Sequence, residues 1–318
     1  MLAGIVLMAA AVVGGEWTEG AVRFETGSEV ANRIVASKPS GAYRSRIVAV
    51  YEDLRHAGRM KTIEKAWRPL CDQAERAASG RCERAVTDDP FLGACWWLLE
   101  ARMMCELELA YLGYKNFYPQ YVSMNLEAFK FMRERYVENG MLAKPLRGEP
   151  VPSAFAVYLG LVEGEALVAT CRDLKKALET KPSPSMDAFE WKMVLDALSQ
   201  NGMAEAAYGL LLSDAQGVDD GAALSFLWRT AAGIAPDVTS PGFRNVIMAP
   251  QPDRRLGFVK AEYRSASGMI KSAWRYEGGK WIWNFTVPRN STASVTLPGQ
   301  RLTRHYDGGD HQIELTLE

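Results

Sequence analysis

The feature that most limits how this chain can fold is a change of hydrophobic period near residue 236. From residue 42 to 234 apolar residues recur at helical spacing, run after run. Ile47, Val50, Tyr51 and Leu54 make one such stripe, which Gly58 ends. Ile63, Ala66, Trp67 and Leu70 make the next, with Pro69 expected as a kink or boundary. The stretch 91–113 is apolar almost all round, through Cys95, Trp96, Trp97, Leu98, Leu99, Met103, Met104, Leu107 and Leu109. Such a helix should be buried on most sides. Asp88 or Asp89 followed by Pro90 supplies its start signal. Further helices are expected over 121–138, 152–161, 164–180, 188–200, 204–212 and 222–233. The gaps between them are short and hold Gly140, Pro182, Pro184, Gly202 and Gly217. Short connections make successive helices antiparallel neighbours.

Beyond that point the pattern is of strands. Pro236, Pro241, Pro250 and Pro252 punctuate the short runs 245–249 and 256–265. The runs 268–277 and 280–287 are joined by Gly278-Gly279, a two-residue hairpin signal. The runs 292–297 and 311–317 alternate polar with apolar residues. The expected organisation is therefore α+β and multidomain: an apolar segment 1–15, a helical domain 16–235 and an antiparallel β-sandwich 236–318.

Composition narrows the function classes. A hydrophobic fraction of 48% and a charged fraction of 24% are those of an ordinary globular protein. A net charge of −1 gives no general pull toward nucleic acid or anionic membrane, so neither is an expected partner. The segment 1–15 is too short to span a bilayer, which takes about 20 residues. It resembles the apolar region of a secretory signal, with Val13, Gly14 and Gly15 where cleavage would fall, but no Lys or Arg precedes it. Export to the periplasm or medium is the expectation if it is a signal, and a cytoplasmic location otherwise. Five Cys and three His show no metal-ligand spacing, so no metal or other cofactor is expected. Cys71 and Cys82 flank the turn-like Ala78-Ser79-Gly80 and would pair in an oxidising compartment; unpaired buried thiols are the plainer alternative.

The β-region carries a resemblance. Pro241-Gly242-Phe243-Arg244-Asn245-Val246 leads to Pro250-Gln251-Pro252, then to Leu256-Gly257-Phe258 and Lys260-Ala261-Glu262-Tyr263. Gly268-Met269-Ile270-Lys271-Ser272-Ala273-Trp274 follows, and then Val287-Pro288 and Leu297-Pro298. This order resembles the C-terminal β-sandwich of bacterial α-L-rhamnosidases. Leu195–Gly202 with Ala206-Ala207-Tyr208, and Tyr158–Val162, are similar to that family's last helical hairpins. The resemblance extends over 87–318 and implies an (α/α)6 helical-hairpin barrel followed by a β-sandwich. It also implies glycoside hydrolysis, with a rhamnose-containing glycan as the partner. About nine helices are read here, against the twelve of a complete six-hairpin barrel. The cleft is then open, or closed by a second copy of the chain in a homo-oligomer.

Two departures bear on activity. The family's acid motif, Asp-x-x-x-Arg-x-x-Trp-x-Gly-Asp, is not reproduced, and Trp17-Thr18-Glu19-Gly20 is a four-residue echo of its end. The long loop with Ala-Thr-Thr-x-Trp-Glu-x-Trp is missing, because Leu212 reaches Ala222 in ten residues. Inverting hydrolysis needs an acid and a carboxylate roughly 6.5–9.5 Å apart. The candidates are Asp88 and Asp89 before one inner helix, Asp187 and Glu190 at the start of another, and Glu100 within the apolar 91–113 helix. Against each stands a structural role: a helix cap for the Asp residues and a salt bridge for Glu100, near Arg102, Glu106 and Glu108. Trp96 and Trp97 would offer a sugar platform or fill the core. Asn290-Ser291-Thr292 fits a glycosylation sequon or a turn before a strand. Three readings follow: a working rhamnosidase-like hydrolase with a relocated acid/base pair, an inactive glycan- or protein-binding homologue, or a fragment without independent activity.

Overall fold

The computed structural model describes residues 20–37, 45–78, 89–112, 120–180, 186–213, 217–237 and 239–316. The apolar segment 1–15, Trp17–Glu19, Cys82 and Asp88 lie outside the described residues. Ten α-helices occur among those described. They are α1 (Glu29–Ser37), α2 (Arg46–Ala57), α3 (Met60–Ala78), α4 (Pro90–Leu112), α5 (Gln120–Tyr136), α6 (Pro150–Tyr158), α7 (Gly164–Thr180), α8 (Ala188–Gln200), α9 (Ala204–Leu211) and α10 (Asp220–Phe226). A π-helical turn, Leu227–Ala231, extends α10.

Local chemistry sets most of these boundaries. Ser45 caps α2 by accepting from the Val48 amide. Gly58 closes the same helix in the left-handed region, at φ 67°, where a side chain would be strained. Pro69 does not break α3, which runs unbroken through it. A proline removes one ladder bond, and the helix tolerates this because packing of Ile63, Leu70 and Ala74 holds both sides.

Contacts sort the helices into two layers. α2, α4, α6, α8 and α10 succeed one another side by side, and α1 packs on α10 at the end of the series. The intervening helices α3, α5, α7 and α9 lie against this inner set. Each inner helix alternates in sequence with an outer one, as short connections require.

The sheet has strands β1 (Ala21–Thr26), β4 (Ile234–Pro236), β5 (Asn245–Met248), β6 (Phe258–Ser265), β7 (Gly268–Glu277), β8 (Lys280–Thr296) and β9 (Thr303–Leu315). A two-stranded ribbon, β2 (Val137–Glu138) with β3 (Met141–Leu142), decorates the helical layer. In the sheet the order is β1-β6-β7-β8-β5-β4, with β9 also on β8. All pairs are antiparallel except β5 with β8. Gly278 and Gly279, at φ 58° and 77°, make the expected hairpin between β7 and β8. β8 is long enough to serve three neighbours: residues 271–277 of β7 pair with its first half, β5 pairs with its second, and β9 pairs with both halves. An irregularity between Val287 and Thr292 separates the halves.

The strand Ala21–Thr26 falls within the span the sequence assigns to helices, yet it pairs with β6. Its alternation is short, and only Phe24 and Thr26 are buried, so it carries little signal of its own. Phe24 meets Trp228 edge-on at 4.9 Å, joining the strand to the end of α10. Side chains of the sheet also hold the helical layer. Trp274 Nε1 donates to Ala231 O at 2.7 Å, and Ser272 Oγ to Ala232 O at 2.6 Å.

Candidate functional site

At the amino ends of the inner helices the acidic residues are engaged locally. Asp89 precedes α4, and its carboxylate accepts from the amides of Phe91 (2.8 Å) and Leu92 (3.0 Å). Asp187 caps α8 through the amides of Phe189 (2.8 Å) and Glu190 (3.0 Å), while Glu190 Oε2 accepts in return from the Asp187 amide at 3.0 Å. This is a full capping box, which satisfies donors that an α-helix leaves unpaired at its start. The fold thus brings Asp187 and Glu190 together, as a reciprocal cap.

Glu100 lies on the buried side of α4. Its Oε1 accepts from Ser45 Oγ at 2.6 Å and from Gln73 Nε2 at 2.8 Å, which ties α4 to the start of α2 and to α3. Arg102, expected to pair with a neighbouring glutamate, instead donates to the Leu159 carbonyl at 2.8 Å and to Asn125. Trp96 is buried and stacked on Phe189 at 4.5 Å, so its ring is part of the inner packing. Trp97 is half-buried beside Phe131 at 5.8 Å.

A second group of polar and charged side chains, from positions beyond the first turn of the inner helices, was only partly legible in the sequence. Glu52, Arg55 and His56 come from α2, Glu106 from α4, Tyr158 from α6, Lys192 and Asp196 from α8, and Arg229 from the turn after α10. Asp196 Oδ2 accepts from both Lys192 Nζ and Arg229 Nη1, the latter at 3.0 Å. Arg55 Nη1 lies 3.2 Å from Glu52 and reaches the Pro236 carbonyl through Nη2. Tyr51 donates a short hydrogen bond to Glu106.

Burial and neighbours set the protonation here. Burial pushes the Glu106 carboxyl up to about 7, aided by the nearby charge of Glu52 and opposed by the Tyr51 hydroxyl, Arg55 and Arg102. Burial and the Arg229 charge bring Lys192 below the ordinary lysine range, against the pull of Asp196. Burial, with Arg55 and Arg229, holds His56 well below its usual value. Its 3.7 Å approach to Glu52 is then a contact of a neutral imidazole and not an ion pair. Burial works against the charge of Arg55, but Glu52, Tyr51 and Glu106 outweigh it and keep the guanidinium charged.

The signal that finds these residues is a charge inside an apolar helical run. Lys192 and Asp196 stand four apart in Trp191-Lys192-Met193-Val194-Leu195-Asp196, and Arg229 follows Leu227-Trp228. Such charges must be paired if the helix is buried. Among the described residues, no three His, Cys, Asp or Glu side chains gather as a metal site. None of the described helices is long and apolar enough to cross a membrane.

The architecture is a layered set of helices followed by a mostly antiparallel sheet. Residues 233–312 match the family model of the bacterial alpha-L-rhamnosidase C-terminal domain. An alpha-L-rhamnosidase from Streptomyces avermitilis is 29% identical over 79 residues, which cover 25% of this chain and 8% of that protein. Among solved structures, native alpha-L-rhamnosidase from Aspergillus terreus aligns with a TM-score of 0.70 at 14% identity, over 85% of this chain and 38% of the other. The Streptomyces avermitilis enzyme complexed with L-rhamnose aligns at 0.68 and 16% identity, over 85% and 32%. The enzyme from Dictyoglumus thermophilum aligns at 0.69 and 13%, over 86% and 39%. The resemblance read from the β-region therefore holds, and at the level of fold it extends into the helices. The chain spans between about a third and two-fifths of the length of these structures.

Proposed function

We propose that this chain is a rhamnosidase-like protein that binds a rhamnose-type glycan without hydrolysing it. The observation that carries the proposal is how six carboxylates of the inner helices are used. Asp89, Asp187 and Glu190 serve as helix caps, and Glu100 is buried against Ser45 and Gln73. Glu52 and Asp196 are buried against cations. Hydrolysis by inversion needs one carboxyl to give a proton and another to activate water across the scissile bond. A carboxylate fixed by two backbone amides or by two cations is poorly placed for either task. The choice of sugar rests on the L-rhamnose complex of the Streptomyces avermitilis relative. A secreted or periplasmic location would suit a glycan binder and depends on the segment 1–15.

One observation favours a second reading, that of an active hydrolase. Glu106, with its carboxyl near 7, has the protonation expected of a general acid at neutral pH. Incubation of the purified chain with an aryl α-L-rhamnoside separates the two, alongside calorimetric titration with L-rhamnose. Binding without release of the aryl group supports the proposal. Release that disappears in Glu106→Gln establishes the second reading, and absence of both binding and release sinks both.

A further inference from the structure

We propose that the Asn139-Gly140 turn is a site of spontaneous covalent modification, where the Asn139 side chain becomes aspartate and isoaspartate while the protein stays folded. The turn joins β2 to β3, and both of its central residues are left-handed, Asn139 at φ 52° and Gly140 at φ 78°. Two such residues in succession make a type I′ hairpin turn, which Asn followed by Gly adopts with little strain. The local fold thus calls for the pair of residues that is also prone to cyclise. The main-chain nitrogen of Gly140, on losing its proton, attacks Cγ of Asn139. The new C–N bond closes a five-membered succinimide, and the side-chain nitrogen leaves as ammonia. Water then opens the ring at either carbonyl, giving aspartate at one and isoaspartate at the other. No oxidant, reductant or cofactor takes part.

Several features leave this turn free to react. Asn139 and Gly140 are both exposed, and open space surrounds the Gly140 Cα where a Cβ would stand. Among the described residues no hydrogen bond holds the Asn139 side chain or the Gly140 amide. The ribbon itself pairs only Val137 with Leu142 and Glu138 with Met141. So short a two-stranded ribbon opens locally at small cost. Its base is held independently: Ala143 N donates to Tyr136 O at 2.9 Å, and Arg147 donates to the Leu142 carbonyl at 3.1 and 2.9 Å. The tip can therefore rearrange for attack while the base stays in place. Asn201-Gly202 is the same pair in a different setting. Asn201 is half-buried at the end of α8, its Nδ2 donates to the Ala197 carbonyl at 2.8 Å, and its backbone N–H donates to Leu198 O. Reaction there first requires the end of the helix to unwind.

Peptide mapping by mass spectrometry tests the proposal on the full chain kept native at neutral pH, with a urea-denatured sample alongside. The segment 136–147 holds no other Asn or Gln, so a mass gain of OH over NH2 there reports on Asn139 alone. In the native chain this gain should appear about tenfold faster or more than at Asn201. In urea the two sites should convert at similar rates, because neither turn nor helix then sets them apart. Native conversion should speed up as pH rises, since the attacking nitrogen is the deprotonated one, and fragmentation should show isoaspartate beside aspartate. Asn139→Gly accepts the same left-handed turn and should show no gain in 136–147. An Asn139 that stays intact in the native chain overturns the proposal, whether or not the denatured chain converts. Equal native rates at the two sites also overturn it, as does a gain that persists in Asn139→Gly.

Discussion

Asp196 is the residue on which the inner charge cluster turns. It is buried and faces both Lys192 and Arg229, so its removal strands two cations away from water. A buried ion pair contributes little net stability when intact, but breaking one is costly. Asp196→Ala should therefore lower unfolding free energy by about 3–5 kcal/mol in a denaturant titration. Glu106 is the residue whose protonation the fold changes most usefully. Its carboxyl is raised from 4.5 to about 7, so the native state holds a proton that the unfolded chain releases. That contribution is fully present below 4.5 and is lost as pH rises through 7. Melting temperatures measured from pH 4.5 to 8 should therefore fall less on the alkaline side for Glu106→Gln than for the parent. Parallel profiles would show that Glu106 is not coupled to folding.

At the scale of elements, α8 begins with two carboxylates whose role is architectural. Asp187 and Glu190 satisfy each other's backbone amides at the start of a helix whose later residues carry Lys192 and Asp196 into the interior. Asp187→Ala should cost about 1 kcal/mol of stability, read from thermal unfolding. It should leave L-rhamnose binding intact, because the residue's work is done on its own helix. A loss of binding with unchanged stability would return Asp187 to the list of ligand-contacting groups. Part of this helix is legible in the sequence. Its bounds, 188–200, follow from the Asp-x-x-Glu start and from the apolar spacing. The pairing of Asp196 with Arg229 does not, since the two are 33 residues apart.

At the scale of the whole molecule, the helical layer and the sheet share a seam. Gly242 N donates to the Arg55 carbonyl at 2.9 Å, Tyr208 donates to the Gln251 carbonyl at 2.8 Å, and Trp274 reaches the end of α10. Gly233 sits where the chain passes from one to the other, at φ 72°, and a Cβ there would run into Pro250. Gly233→Ala thus meets both backbone strain and a backbone clash. It should lower the midpoint of unfolding for both layers together, measured by helical circular dichroism and by tryptophan fluorescence. Separate midpoints for the two signals would show that the seam does not couple the layers.

Short-range signals in the chain are enough to set the local pieces of this protein. Periodicity, Gly58, Gly278-Gly279 and the Asp187 box specify helices, stops and turns because each acts over a few residues. The ordered run from Pro241 to Trp274 specified the β-domain and its rhamnosidase likeness. Long-range packing alone makes Ala21–Thr26 complete a sheet formed more than 200 residues later, because strand pairing is a contact between distant segments with no local signature. The same packing gives Arg102 a carbonyl and not a glutamate as its partner, and sets Asp196 between two cations. A buried charge takes whatever partner the packing of other helices brings within reach. That partner is set by the fold and not by spacing along the chain.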